Sequence, residues 1–392
     1  MIPIELAPLE ELGRLTARPW ADAVTGLQID SRRIEEGDLF VAVGGGEDFT
    51  AHALARGAAA VLVPEDGQAA LGVIAASVRQ RSQAKVVGIT GSTGKTTTKD
   101  ILAALCAPHL RTVASEGNYN NELGVPLTLC RIEPDTELCI VEMAMRGLGE
   151  IAYLASIAKP HVAVITNIGP VHLEFLGEVE HVARAKAELI EALPRGGVAV
   201  VPDEPLLEPY LQRDDIEVRR FAADVPFETN YKAEHQLENT RAALAVCEVL
   251  GVPLPARLDV VFSPLREEEH ELPGGGLLLN DCYNANPVSM RAALAHLAAR
   301  AGGRRRIAVL GEMAELGPGA AAYHLEVGRQ AAELGVEVVG VGPLAREYGG
   351  RWVATAGEAA SVVSELLHPG DVVLVKGSRS VGLETVAAKL RT

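Results

Sequence analysis

Apolar residues recur along this chain in two ways: as short β-branched runs that stop at glycine or polar turns, and as longer stretches with apolar positions three or four apart. The densest succession is Ala84 to Leu105, AKVVGITGSTGKTTTKDILAAL. Val86, Val87 and Ile89 predict a strand, Gly91 to Gly94 a turn, and Ile101, Leu102 and Leu105 a helix from Thr96 onward. Residues 1–83 read as a first α/β unit, in which IDSRRIEEGDLFVAV gives strand, turn and strand, AHALARGAAAVLVP helix and strand, and LGVIAASVRQRS a closing helix. Residues 84–265 alternate strand and helix, with ELCIVEMAM and HVAVITNIG as further strands, which predicts a parallel sheet. Gly251-Val252-Pro253-Leu254-Pro255 and the acidic SPLREEEHEL read as a linker. Residues 266–392 alternate again, from LLLNDC to DVVLVKG, and predict a doubly wound, Rossmann-like sheet without the GxGxxG of dinucleotide sites. The expected fold is α/β in three domains, the central one a parallel sheet.

The turn at Gly91 turns pattern into chemistry. A glycine turn at a helix N-terminus presents free N–H groups and the positive end of the helix dipole to an anion. Lys95, expected at a solvated loop end, can reach terminal phosphates, and the Thr96 hydroxyl suits magnesium. Gly91, Ser92, Thr93, Gly94, Lys95, Thr96 and Thr97 are therefore the candidate phosphate cradle of a P-loop. The spacing is GxxGKT rather than GxxxxGK[ST], and the plain alternative is a glycine-rich turn with a surface lysine. The agreement of strand, glycines, Lys-Thr and helix favours phosphate.

Composition narrows the partners. The chain has 392 residues, 36 Lys plus Arg against 52 Asp plus Glu, and a net charge of −16, which disfavours nucleic acid and anionic membranes as general partners. Any anionic ligand must therefore meet local positive groups. Five cysteines without a CxxC pattern point to a reduced compartment rather than a disulfide framework. The start, MIPIELAPLEEL, lacks a basic region followed by an apolar block, and no run reaches transmembrane length, so a cytoplasmic protein without membrane insertion is expected.

Further polar clusters stand where predicted strands end. Glu142 falls toward the end of ELCIVEMAM, His172 follows HVAVITNIG, and Lys186 lies on the next helix. Taken singly each has an ordinary explanation, a helix cap, a loop histidine and a solvated lysine. The Asn-rich stretch from Glu116 to Pro126 includes Asn118 and Asn121. In the last unit, Asn280 to Pro287, Gly311 to Gly317 and Lys376 to Ser380 fall on one predicted sheet edge, which is where ligands bind in such sheets.

TGSTGKTTTK, VEMAMRGLGEI, ITNIGPVHLEFLG and ARAKAELI, in that order, resemble the Mur ligase superfamily, which includes folylpolyglutamate synthetases. The resemblance implies an ATP-binding central domain and a magnesium site of Thr96, Glu142, His172 and Lys186, the lysine as a carbamate. It also implies Asn239, in AEHQLENTRAAL, beside the adenine. DSR…GDLFVAV…GAAAVLV resembles the family's UDP-substrate domain and implies Ser31 and Arg32 as contacts; Asp48 to His52 stands where a DGH-like triplet is usual. DCYNANPVSM, GEMAELG and VLVKGSRS resemble the branch that joins D-alanyl-D-alanine to UDP-N-acetylmuramoyl-tripeptide through an acyl phosphate. That implies Asp281, Tyr283 and Asn284 toward ATP, and Asn118, Asn121, Asn286, Lys376 and Arg379 toward substrate, in a protein acting as a monomer. Lys95, Glu142, His172 and Lys186 are the expected catalytic set. Relatives usually have a small antiparallel sheet where this chain has only residues 201–234, so that sheet is expected to be trimmed or missing. Two rivals remain: another ligase of the superfamily, and a P-loop nucleotide switch.

Overall fold

The computed structural model describes residues 1–222 and 224–391; Thr392, the end of the expected third unit, lies outside them. In the first unit four strands run in the order Gly13–Ala17, Ala60–Pro64, Asp38–Val41, Gly26–Gln28, the first pair antiparallel and the others parallel. The helix Gly67–Arg81 is started by Asp66, whose carboxylate accepts from the Gln68 and Ala69 amides. Its apolar face, Leu71, Ile74, Ala75 and Val78, is buried against the helices Gly124–Leu129 and Glu150–Ala158 of the next unit. Buried Arg79 ties the two together by donating to the carbonyls of Ala158 at 2.7 Å and Lys159 at 3.2 Å. The change of sheet near residue 83 is thus not a change of core: one apolar cluster joins Leu39, Leu62 and Leu71 to Val125, Ile151 and Leu189.

The central sheet has six parallel strands in the order Glu217–Arg220, Val198–Val201, Val162–Ile165, Lys85–Thr90, Leu138–Glu142, Thr112–Ala114. The four inner strands are short, nearly continuous apolar runs, as strands covered on both faces require. Lys85–Thr90 lies inside the sheet, with Ile89 opposite Glu142 and Thr90 opposite Ile165. That register delivers Gly91, Glu142 and the loop after Ile165 to one edge. The 201–234 stretch supplies the edge strand Glu217–Arg220 and a short strand, Glu228–Thr229, parallel to Arg257–Leu258; among the described residues it holds no antiparallel subsheet.

The C-terminal sheet runs Glu268–Leu272, Gly276–Asn280, Val372–Lys376, Arg306–Gly311, Val336–Val341, Arg351–Val353. All neighbours are parallel except the first pair. The strand Glu268–Leu272 corrects the reading of SPLREEEHEL as linker throughout. Its side chains alternate in exposure on a sheet edge, where charged residues are tolerated, so the acidic composition hid a strand of period two. This unit has its own apolar core on the two faces of its sheet. Among the described residues no helix is long and apolar enough to cross a membrane, and all five cysteines are buried and unpaired.

Candidate functional site

The turn between Lys85–Thr90 and the helix Lys95–Cys106 is built around two glycines. Gly91 has φ +151°, and a β carbon there would lie 1.8 Å from Thr166 Oγ1; Gly94 has φ +76°, and a β carbon would lie 2.1 Å from Asn239 Oδ1. The helix begins at Gly94 with no side-chain cap, so its N-terminus faces an incoming anion with its own N–H groups. Asn167 holds the loop in shape: its carbonyl oxygen accepts from the Thr93 amide at 2.9 Å and its amide donates to Thr93 Oγ1 at 2.6 Å. Lys95 is half-buried rather than at a solvated end, and Nζ donates to the Gly91 carbonyl at 2.8 Å. Burial lowers its pKa, with the Glu142 carboxylate pulling the other way.

Thr96, buried behind the loop, donates its hydroxyl to Glu142 Oε2 at 2.8 Å, and Asn120 donates its amide to Oε1 at 2.8 Å. Lys186 is buried, and both burial and the like charge of Lys95 press its pKa well below the usual lysine value. His172 immediately precedes the short helix Leu173–Leu176, and its Nδ1 lies 2.5 Å from Glu315 Oε2 of the C-terminal unit. Burial lowers its pKa, Glu315 opposes that, and the charges of Lys186 and Lys95 reinforce it. The charge of Lys95 thus reaches both Lys186 and His172, far from it in sequence.

Two cavities meet at the loop. The smaller, about 160 Å³, is bounded by Ser92 to Thr97, Asn239, Asp281, Asn284, Asn286 and Lys376. The larger, about 680 Å³, is bounded among others by Lys95, Asn118, Asn121, Glu142, His172, Tyr283, Asn286 and Arg379. Asn286 reaches both: its carbonyl oxygen caps the helix Pro287–Ala301 by accepting from the Ser289 amide, and its amide donates to the Ser92 carbonyl at 3.4 Å. Lys376, expected on substrate, stands along the smaller cavity, where Nζ donates to Asp281 Oδ2 at 2.5 Å and to the Asn284 carbonyl at 3.0 Å. Burial raises the Asp281 pKa against the pull of that lysine. Tyr283, expected toward nucleotide, faces the larger cavity beneath the Arg266 guanidinium, 4.2 Å from its ring centre. The Asn121 carbonyl oxygen also accepts from the Gly124 amide at 3.0 Å, and Arg379 pairs with Glu384 at 3.4 Å.

Ser31 and Arg32 bound neither cavity, although Ile29 bounds the larger. Arg32 is exposed and paired to Asp30 at 2.8 Å, whereas Ser31 is buried with Oγ 2.9 Å from His52 Nδ1. The stretch from Asp48 to His52 thus brings its histidine to the serine. Asn167, Asn120, Arg266 and Glu315 were missed by sequence reasoning. Asn167 lies in HVAVITNIG and Asn120 in the Asn-rich stretch from Glu116 to Pro126, but only the fold reveals what each amide reaches.

A parallel sheet with a glycine turn and an uncapped helix N-terminus at its edge, faced across a cavity by the polar strand ends of a second sheet, is the arrangement of a nucleotide-using enzyme that works between domains. The chain belongs to the Mur ligase family: the Mur ligase middle domain matches residues 89–250, and the Mur ligase glutamate ligase domain matches residues 266–379. It is 34% identical to the UDP-N-acetylmuramoyl-tripeptide–D-alanyl-D-alanine ligase of Synechocystis sp., over 94% of this chain and 92% of that one. Its structure resembles MurF from Acinetobacter baumannii with a TM-score of 0.86 at 29% identity, covering 99% of both chains. It also resembles the MurF ligase of Thermotoga maritima in complex with ADP, with a TM-score of 0.81 at 29% identity, covering 94% of this chain and 97% of that one.

Proposed function

We propose that this protein is an ATP-dependent ligase that joins D-alanyl-D-alanine to UDP-N-acetylmuramoyl-tripeptide. The observation that carries this reading is the hydrogen bond from Asn286 to the Ser92 carbonyl, which closes the YNANP cluster onto the phosphate loop. Residues 84–265 would hold ATP, with Gly91 to Thr97 cradling its phosphates and Asn239 beside the adenine. Residues 266–392 would hold the dipeptide amine, and residues 1–83 the UDP end through Ser31 and Arg32. The protein would act as a monomer. With nucleotide-linked substrates, the protein would work in the cytoplasm.

In the reaction the terminal carboxylate of the tripeptide attacks the γ-phosphorus of ATP and ADP leaves. The amine of D-alanyl-D-alanine then attacks the acyl carbon and phosphate leaves. The first step brings anions together, so charge neutralisation by Lys95 and the loop amides is the main demand on the protein. The second needs the acyl phosphate kept from water, which fits a site enclosed between two units. No covalent side-chain nucleophile is required.

The oxygen pair Thr96 Oγ1 and Glu142 Oε2, already hydrogen bonded and buried, is the donor chemistry magnesium prefers. Thr96, Glu142, His172 and Lys186 would hold it, and the bound ion would neutralise charge developing on the phosphates. A cationic amine does not fit such a site. Lys186 fits as a carbamate: burial favours the neutral amine that reacts with carbon dioxide, and the product is an oxygen-donor anion.

Phosphate release tests the reading. A ligase releases phosphate in step with amide only when the UDP-linked tripeptide and D-alanyl-D-alanine are both present; release independent of the dipeptide would instead indicate a nucleotide switch.

A further inference from the structure

Glu315 joins the C-terminal unit to the proposed metal site. It lies in the turn after the strand Arg306–Gly311 with φ +62°, and His172 opposite it has φ +55°. Residues with a β carbon hold the left-handed conformation only where their surroundings impose it. Here the Glu174 amide donates to the Glu315 carbonyl at 3.2 Å, and Gly317 packs so closely that a β carbon on it would stand 3.2 Å from the backbone of Glu174. The two turns interlock. Between them His172 Nδ1 lies 2.5 Å from Glu315 Oε2, while Arg146 Nε lies 3.1 Å from Oε1. A carboxylate paired with arginine is an acceptor, so Nδ1 carries the proton and Nε2 keeps its lone pair. His172 bounds the larger cavity together with Glu142.

We propose that Glu315 is a positioning residue of the ligase: it fixes the tautomer and ring orientation of His172 so that Nε2 is offered to the metal. Because Glu315 belongs to the C-terminal unit, the metal site is complete only while that unit is docked. This rests on the metal role proposed above for His172. Histidines that ligate metals commonly donate their other ring N–H to a carboxylate, and loss of that partner lowers metal affinity by about 10–100-fold. Arg146 holds the second oxygen of the same carboxylate and so limits its rotation.

The test is manganese(II) binding to the full-length protein in the presence of ADP, read by electron paramagnetic resonance of the free ion. Glu315→Ala is expected to weaken manganese about tenfold or more. Glu315→Asn, which suits a left-handed backbone but is too short to reach Nδ1, should match it and guards against a folding defect. Glu315→Gln keeps an acceptor oxygen and should retain most of the affinity. Combined with His172→Ala, Glu315→Ala should add no further loss, because both changes act through one ligand. Wild-type manganese affinity in Glu315→Ala and Glu315→Asn, or a loss that multiplies with that of His172→Ala, overturns the proposal while leaving the metal site standing. Wild-type affinity in His172→Ala alone overturns the metal role and this proposal together.

Discussion

Gly94 and Lys186 show how much function rests on single positions. Gly94 is left-handed and a β carbon there would collide with Asn239, the residue proposed to stand beside the adenine. Gly94→Ala should weaken ADP at least tenfold in titration calorimetry and lower stability by about 1–3 kcal/mol, because an unfavourable backbone and a clash fall on the same atom. Lys186 poses a question of charge. Lys186→Ala should abolish amide formation and regain part of it with added acetate, whereas Lys186→Arg should stay inactive, since guanidinium keeps its positive charge. A fully active arginine variant, or no labelled carbamate on the protein after equilibration with ¹³C carbon dioxide, would remove the carbamate from the mechanism.

At the scale of elements, the helix Pro287–Ala301 has its start and its function in one residue. The Asn286 carbonyl oxygen is the N-cap, and its amide is the contact to the phosphate loop. Asn286→Ser keeps a good cap but loses the donor, so stability should hold within about 0.5 kcal/mol while kcat/KM falls by up to about tenfold, the range of one neutral hydrogen bond. Asn286→Ala should lose about 1 kcal/mol in addition. Paired thermal melts and initial rates separate the two roles. The strand Glu268–Leu272 carries the opposite lesson. Its acidic residues look like a solvated linker in sequence, and only pairing with Gly276–Asn280 makes them an edge.

For the molecule as a whole, the three large sheets do not correspond to three independent cores. The helix Gly67–Arg81 belongs to the first unit by sequence order but buries its apolar face on the central unit. Residues 1–83 expressed alone should therefore lack a cooperative melt, because Leu71, Ile74 and Val78 lose their partners. Residues 266–391, whose core is enclosed within the unit, should melt cooperatively on their own. Scanning calorimetry of the two fragments checks both expectations; a sharp transition in the first would mean that the shared core contributes little.

The sequence by itself determined most of the elements and their candidate chemistry. β-branched runs, glycine turns and helical spacing gave the alternating strands and helices, and the Gly-Lys-Thr turn gave the candidate phosphate loop, because these depend on residues within a few positions of one another. The clusters at strand ends could be read as site material for the same reason. Tertiary structure decided what those clusters face. Strand order brings Glu142 and the loop before His172 to the edge beside Gly91, although they lie some fifty to eighty residues apart in the chain. The meeting of two units decides that Asn286 touches Ser92, that Lys376 turns to Asp281, and that Glu315 holds His172. Such contacts depend on how separately folded surfaces pack, and no local pattern of residues encodes the partner across that gap.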